Sequence, residues 1–233
     1  MILLHEESLD ELASCPYLQD GREKQFRYFF ATQLNKKELG QYLKTGWRKF
    51  GMYYFKPECP SCQSCTPLRV KVDEFKKSKS LRQCWNKSSK HISVEISEPV
   101  FSDRAYEIYK KHCDQRFDQE AGEKEQFIES FYLPSAPMLQ TNLYLENELM
   151  GVGYLDISDD GLSSVYFAFD PEISSYSPGT YSILAEIECA KKMNLKYYYL
   201  GYWVDNCNEL SYKKRFQPFE YYDWNQDKWL GEV

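Results

Sequence analysis

Hydrophobic and polar positions alternate most regularly in the second half of the chain. Residues 141–146, 149–157 and 163–169 each read as strands. The connections between them, Glu146-Asn147-Glu148 and Asp159-Asp160-Gly161, are short and polar, so an antiparallel meander is expected. The period then changes. After Ser177-Pro178-Gly179-Thr180, the residues Ile183, Leu184, Ile187, Ala190 and Met193 recur at helical spacing, which predicts a helix that ends at Asn194. A dense aromatic strand at 197–204, a helix at 208–216 and a last strand at 219–224 follow. Two further helices are predicted over 103–116 and 124–132.

The first half is less periodic. Asn35-Lys36-Lys37-Glu38 has the form of a capping box, and Leu39, Tyr42, Leu43 and Trp47 follow at helical spacing. The aromatic run 49–56 reads as one strand and 68–72 as another, with a cysteine turn between them. A basic stretch, expected to be helical in part, leads to an edge strand at 91–97. Pro99 marks a boundary, dividing the chain into 1–98 and 99–233.

Strand–strand–strand–helix–strand–helix–strand is the order of N-acetyltransferase-like (GNAT-type) folds. The expected class is therefore α+β, with a GNAT-like domain at 99–233 and a smaller cysteine-containing α/β domain at 1–98. In that fold two central strands splay apart to admit an acyl donor, and the helix after the third strand turns its N-terminus to the donor. A coenzyme A enzyme would carry a glycine-rich loop there. This chain has Gly179 alone, and Pro178 removes one backbone donor.

Composition narrows the classes. A chain of 233 residues with 42% hydrophobic content can bury one large core or two modest ones. Its start, Met1 to Glu7, turns acidic before an apolar leader forms, and no run approaches the roughly 20 apolar residues of a membrane span. The expectation is a cytoplasmic protein with no membrane partner. Net charge is −6, which alone argues against nucleic acid. Charge is segregated, however: eight basic and two acidic residues fall between Arg69 and Lys90, leaving the rest of the chain at −12. That is one basic face on an acidic body, or an ordinary solvated segment.

Eight cysteines in a chain this long do not suggest a secreted disulfide scaffold. Four stand in motifs: Cys15 in Cys-Pro-Tyr-Leu, and Cys59, Cys62 and Cys65 in one tight turn. A turn supplying close thiolates plus one from elsewhere suits zinc or an iron–sulfur cluster. Metal-free buried thiols and a redox-sensitive set remain alternatives.

Beyond these motifs, Asp160-Gly161-Leu162-Ser163, Phe169-Asp170-Pro171, Gly179-Thr180-Tyr181, Tyr199-Leu200-Gly201-Tyr202-Trp203 and Tyr212-Lys213-x-Arg215-Phe216-x-Pro218 occur in order. Together with the cysteine motifs they closely resemble the bacterial aminoacyl-tRNA–protein transferases, specifically the aspartate/glutamate leucyltransferases, relatives of arginyl-tRNA–protein transferase. The resemblance implies transfer of an aminoacyl group, leucine or alternatively arginine, from charged tRNA to proteins beginning with Asp or Glu, marking them for degradation. The implied partners are leucyl-tRNA and those acceptor proteins.

An aminoacyl-tRNA is an activated ester, so no cofactor is required for transfer. The nucleophile is an α-amine with a reference pKa of about 7.7–8.0, partly neutral at cytoplasmic pH. The enzyme's tasks are alignment and oxyanion stabilisation. Asp170 is the candidate for orienting the amine or taking its proton, and Tyr181 and Tyr202 for donating to the oxyanion or ribose. Trp203 is the candidate for stacking on the terminal adenine. Each also has a structural reading, as core aromatics or a turn residue. Arg22, Arg69 and Arg215 are candidates for reading the acceptor carboxylate, and Arg82, Lys213 and Lys214 for tRNA phosphate. Two other functions fit the element order and the cysteines: an acyl-CoA N-acyltransferase, and a metal-stabilised adaptor without turnover.

Overall fold

The computed structural model describes residues 1–18, 20–117, 121–205 and 207–231. The first strands are β1 (Ile2–Leu9), β2 (Ala13–Ser14), β3 (Glu23–Lys24) and β4 (Phe26–Thr32). Helix α1 (Lys36–Lys44) starts at the expected capping box. Asn35 Oδ1 accepts from Glu38 N at 3.0 Å, and a Glu38 carboxylate oxygen accepts from Asn35 N at 2.8 Å. The aromatic run that follows is a hairpin, not one strand. It divides into β5 (Arg48–Phe50) and β6 (Tyr53–Pro57) because Gly51, at φ +51°, turns the chain back. These strands form a four-stranded sheet in the order β1-β4-β6-β5, with α1 packed on it through Leu39 and Leu43.

Next come β7 (Thr66–Lys71), α2 (Lys79–Ser88), β8 (Ile92–Ser97), α3 (Asp103–Phe117) and α4 (Lys124–Phe131). The meander is present as β9 (Met138–Leu145), β10 (Glu148–Ile157) and β11 (Gly161–Phe169). Glu146 and Asn147 both have positive φ, as a tight two-residue hairpin turn requires. A short 3-10 turn, Pro171–Tyr176, leads into α5 (Pro178–Lys192), and β12 (Tyr197–Trp203) follows. Helix α5 buries Ile183, Leu184, Ile187 and Ala190, whereas Met193, expected on the same face, lies past the helix end and is exposed. The helix expected at 208–216 is broken into α6 (Asn208–Ser211) and a 3-10 turn, Tyr212–Arg215; β13 (Phe219–Asp223) and β14 (Lys228–Gly231) close the chain.

Eight strands form the large sheet, in the order β14-β13-β7-β12-β11-β10-β9-β8. The division at residue 98 does not follow this sheet. β7 lies between β13 and β12, and β8 forms the far edge, so strands from both parts share one hydrogen-bonded surface. Leu68, Val70, Leu162, Leu184, Ile187, Tyr198 and Leu200 join them in a common core. Among the described residues, no helix is long and apolar enough to cross a membrane.

Candidate active site

The central strands β11 and β12 run parallel, and their pairing stops early. It covers Gly161–Ser163 against Tyr197–Tyr199, yet β11 continues to Phe169 and β12 to Trp203. Beyond Ser163 the strands part. A bulge in β12 between Tyr199 and Gly201, where Gly201 takes φ +82°, bends that strand along β7.

Two cations meet at this parting. Arg48 and Lys49 are neighbours on β5, and the period of two sends them to opposite faces. Lys49 turns inward and pairs with Asp156 at 2.8 Å, both side chains almost fully buried. Burial pushes the Asp156 carboxyl above its ordinary range, against the opposing pull of Lys49 and Arg48. Arg48 instead reaches between the strands, donating to Ser163 Oγ at 2.9 Å and to the Ser164 carbonyl oxygen. From the C-terminal side, Lys213 Nζ donates to the Tyr202 carbonyl oxygen at 2.7 Å. A Cβ on Gly201 would stand 3.4 Å from both Arg48 Nη2 and Lys213 Nζ, so the two cations approach each other across this glycine.

Neither cation has a carboxylate within ion-pair distance among the described residues. Burial, then the neighbouring Arg48 charge, pushes the Lys213 ammonium down to about 7, and burial also lowers Arg48. Both side chains keep partial solvent exposure, so a ligand can reach them. A half-exposed pair of cations with no carboxylate partner among the described residues would be stabilised by an arriving anion.

On the α5 side of the sheet sits Glu186, 2% exposed, accepting a hydrogen bond from Tyr198 O–H. Burial raises its carboxyl to about 7, with the Tyr198 and Thr141 hydroxyls opposing. It is a polar anchor within the main core.

The four motif cysteines line one cavity. Its free space is about 20 Å³, enough for one water-sized species. Arg22 Nη1 stands 3.0 Å from Cys62 Sγ. Burial would raise the Cys62 thiol, but hydrogen bonds from Ser64 and Arg22 outweigh it and lower the pKa. Burial pushes Cys65 up to about 12. Among the described residues, no three His, Cys, Asp or Glu side chains already stand in metal-ligand arrangement.

Comparison with known proteins decides the family. Residues 13–83 match the N-terminal family, and residues 104–223 the C-terminal family, of arginine-tRNA-protein transferase. An aspartate/glutamate leucyltransferase from Campylobacter jejuni is 36% identical over 227 residues, covering 94% of this chain and 93% of the relative. One from Marinobacter nauticus is 32% identical, covering 88% of each.

The chain belongs to the arginine-tRNA–protein transferase family.

Among solved structures, one described as the C-terminal domain of a lysylphosphatidylglycerol synthetase from Agrobacterium fabrum matches 95% of this chain and 82% of its own. Its TM-score is 0.54 at 12% identity. FemX matches 91% and 84%, with a TM-score of 0.53 at 9% identity. These likenesses concern the fold alone: a large mixed sheet of N-acetyltransferase-like type.

Within this transferase, the residues singled out from sequence separate into two groups. Tyr202, Trp203, Lys213 and Lys214 gather at the end of β12. Tyr202 O–H donates to the Gly46 carbonyl oxygen at 2.9 Å, tying β12 to the connection between α1 and β5, and Lys214 Nζ lies 3.7 Å from the Trp203 ring centre. The others are held elsewhere. Asp170 is 1% exposed; its carboxylate takes Lys111 at 2.8 Å, Arg104 at 3.2 Å and the Glu172 N–H at 3.3 Å. Burial would raise this carboxyl, but those partners outweigh it and lower the pKa. With both oxygens engaged toward α3 and the following turn, Asp170 caps and clamps instead of facing an amine. Tyr181 is buried against Trp85, and its O–H donates to the Ile92 carbonyl oxygen at 3.1 Å, locking α5 to β8. Arg69 spends its Nε on Glu220 at 2.7 Å and stacks on Tyr197 and Trp229. Arg22 is held by Asp20 at 2.6 Å. Arg82 and Arg215 are exposed.

Arg48 was missed from sequence. Its signal was two adjacent cations inside an aromatic run, Trp47-Arg48-Lys49-Phe50, where an outward charge would be ordinary and an inward one is not.

Proposed function

We propose that this protein transfers leucine from leucyl-tRNA to the α-amine of proteins beginning with Asp or Glu. The observation that carries the reading is the early end of β11–β12 pairing, in a chain 36% identical to a protein named for that reaction. The amine attacks the ester carbonyl, a tetrahedral oxyanion forms, and collapse breaks the ester bond as the proton lost by the amine passes to the departing tRNA 3′ oxygen, leaving an amide and a 3′ hydroxyl. Backbone N–H groups of β11 past Ser163, which β12 no longer pairs, are the donors assigned to the oxyanion. Trp203 offers a ring for the terminal adenine, and Lys214, Arg82 and Arg215 are the assigned phosphate contacts. A leucylated N-terminus would mark the acceptor for degradation. Arginyl transfer is the second reading, favoured by the family description.

The ester carries its own activation, so transfer needs no cofactor. For Cys15, Cys59, Cys62 and Cys65 the donor set suits zinc or an iron–sulfur cluster by chemistry, though not yet by spacing, since Arg22 holds the Cys62 sulfur. A metal there would tie the first motif to the cysteine turn; no step of transfer passes through it.

The test is incubation with radiolabelled leucyl-tRNA, arginyl-tRNA or acetyl-CoA and peptides beginning Asp, Glu or Ala. Label from leucyl-tRNA on the Asp and Glu peptides, and not on Ala, is the expected result. No label from either tRNA rejects the function.

A further inference from the structure

We infer that Arg48 and Lys213 form the pocket that reads the side-chain carboxylate of the acceptor's first residue. The inference rests on the transferase reading above and names the residues that give it specificity.

Charge balance is the first ground. Among the described residues, Arg48, Lys49 and Lys213 meet one carboxylate, Asp156, and Lys49 already holds it at 2.8 Å. Two partly desolvated cations with no carboxylate among the described residues are unfavourable unless an anion arrives. A carboxylate arriving there would halve that excess charge and could accept from both cations.

Geometry is the second. Arg48 is fixed by Ser163 Oγ and the Ser164 carbonyl, and Lys213 by the Tyr202 carbonyl, so each cation is oriented before ligand binds. Gly201 between them has no side chain to fill the gap. A carboxylate resting there would touch one cation from each strand's side.

Proximity is the third. In an N-terminal Asp the carboxylate and the α-amine sit on neighbouring carbons. A carboxylate held by these cations therefore brings the amine to the mouth of the parted strands. Every other arginine first considered for this role fits less well: Arg69 is neutralised by Glu220 and Arg22 by Asp20, while Arg215 is an exposed surface charge. A tRNA phosphate is the weaker occupant, because exposed lysines and arginines along α2, with the exposed Arg215, already suit a backbone that stays in water.

The test compares wild type with Lys213→Met, Lys213→Arg and Arg48→Lys, whose folding is checked by thermal melting. Binding and transfer are measured for peptides identical except for Asp or Asn, and Glu or Gln, at the first position, alongside leucyl-tRNA affinity. Binding needs no turnover, so it reports on the pocket even if leucine transfer fails. In wild type, Asp is expected to bind more tightly than Asn. The Asp/Asn ratio should fall at least about tenfold in Lys213→Met, with Lys213→Arg recovering most of it and leucyl-tRNA affinity unchanged. Arg48→Lys, which keeps the charge and loses the fork, should fall in between. An unchanged ratio in both Lys213→Met and Arg48→Lys overturns the inference, as does loss of leucyl-tRNA affinity with the ratio intact.

Discussion

Gly201→Val abolishes most transfer while leaving a folded protein: activity on an Asp-starting peptide falls at least about 100-fold, whereas melting moves by only a few degrees. Two physical effects coincide at this position. The backbone is left-handed, φ +82°, where a β-branched residue is strained by about 1–3 kcal/mol. That strain corresponds to a modest shift in melting for a chain of this size. The larger effect is local. A Cβ already stands 3.4 Å from Arg48 Nη2 and Lys213 Nζ, and the valine methyls extend into the gap those cations share. They displace the side chains that end the strand parting and occupy the ligand's place. Gly179→Ala is the control: a Cβ there meets nothing nearer than Phe167 at 4.0 Å, so transfer should persist. Transfer assays and melting curves on both variants check the pair.

Arg69→Ala is expected to lower stability by about 3–5 kcal/mol, the range for breaking a buried ion pair. That is a drop in melting temperature of roughly 10 °C at this chain length. Arg69 and Glu220 face each other across β7 and β13, with side chains 9% and 14% exposed. Among the described residues, removing the guanidinium leaves Glu220 with Lys71, at 3.3 Å. It also uncovers the faces of Tyr197 and Trp229, whose centres lie 3.8 and 4.2 Å from the guanidinium carbon. Arg215→Ala, on the exposed 3-10 turn, should change stability by less than about 0.5 kcal/mol. Denaturant unfolding separates the two. An Arg69→Ala protein as stable as wild type would show that this clamp contributes nothing.

The sequence reports local chemistry well and distant partners poorly, and individual residues show the divide. The Asn35 capping box, the Glu146-Asn147 turn and the buried face of α5 each depend on residues within a few positions, and each forms as their spacing predicts, Met193 at the end of α5 excepted. Lys213 and Lys214 are adjacent and chemically identical in sequence. One is drawn against Arg48 and the Tyr202 carbonyl, while the other lies over Trp203. Arg69 was a reasonable carboxylate reader until Glu220, 151 positions away, proved to be its partner. Arg48 finds its acceptors 115 and 116 positions away. The placement of β7 between β12 and β13 is likewise invisible to a period-of-two pattern, which sets a strand's faces and not its neighbours. Asp170 and Tyr181 occupy the expected elements, but packing turned their polar atoms to structural partners.

Photocrosslinking maps directly where the acceptor's first residue docks. An Asp-starting peptide carrying a photoreactive group at its second residue is irradiated with the protein and leucyl-tRNA, and the adducts are located by mass spectrometry. Adducts on β5 around Arg48, on Gly201 to Trp203 and on Lys213 are the predicted outcome. Adducts confined to the cysteine cavity or to the α2–β8 edge, with none at the parted strands, would contradict it.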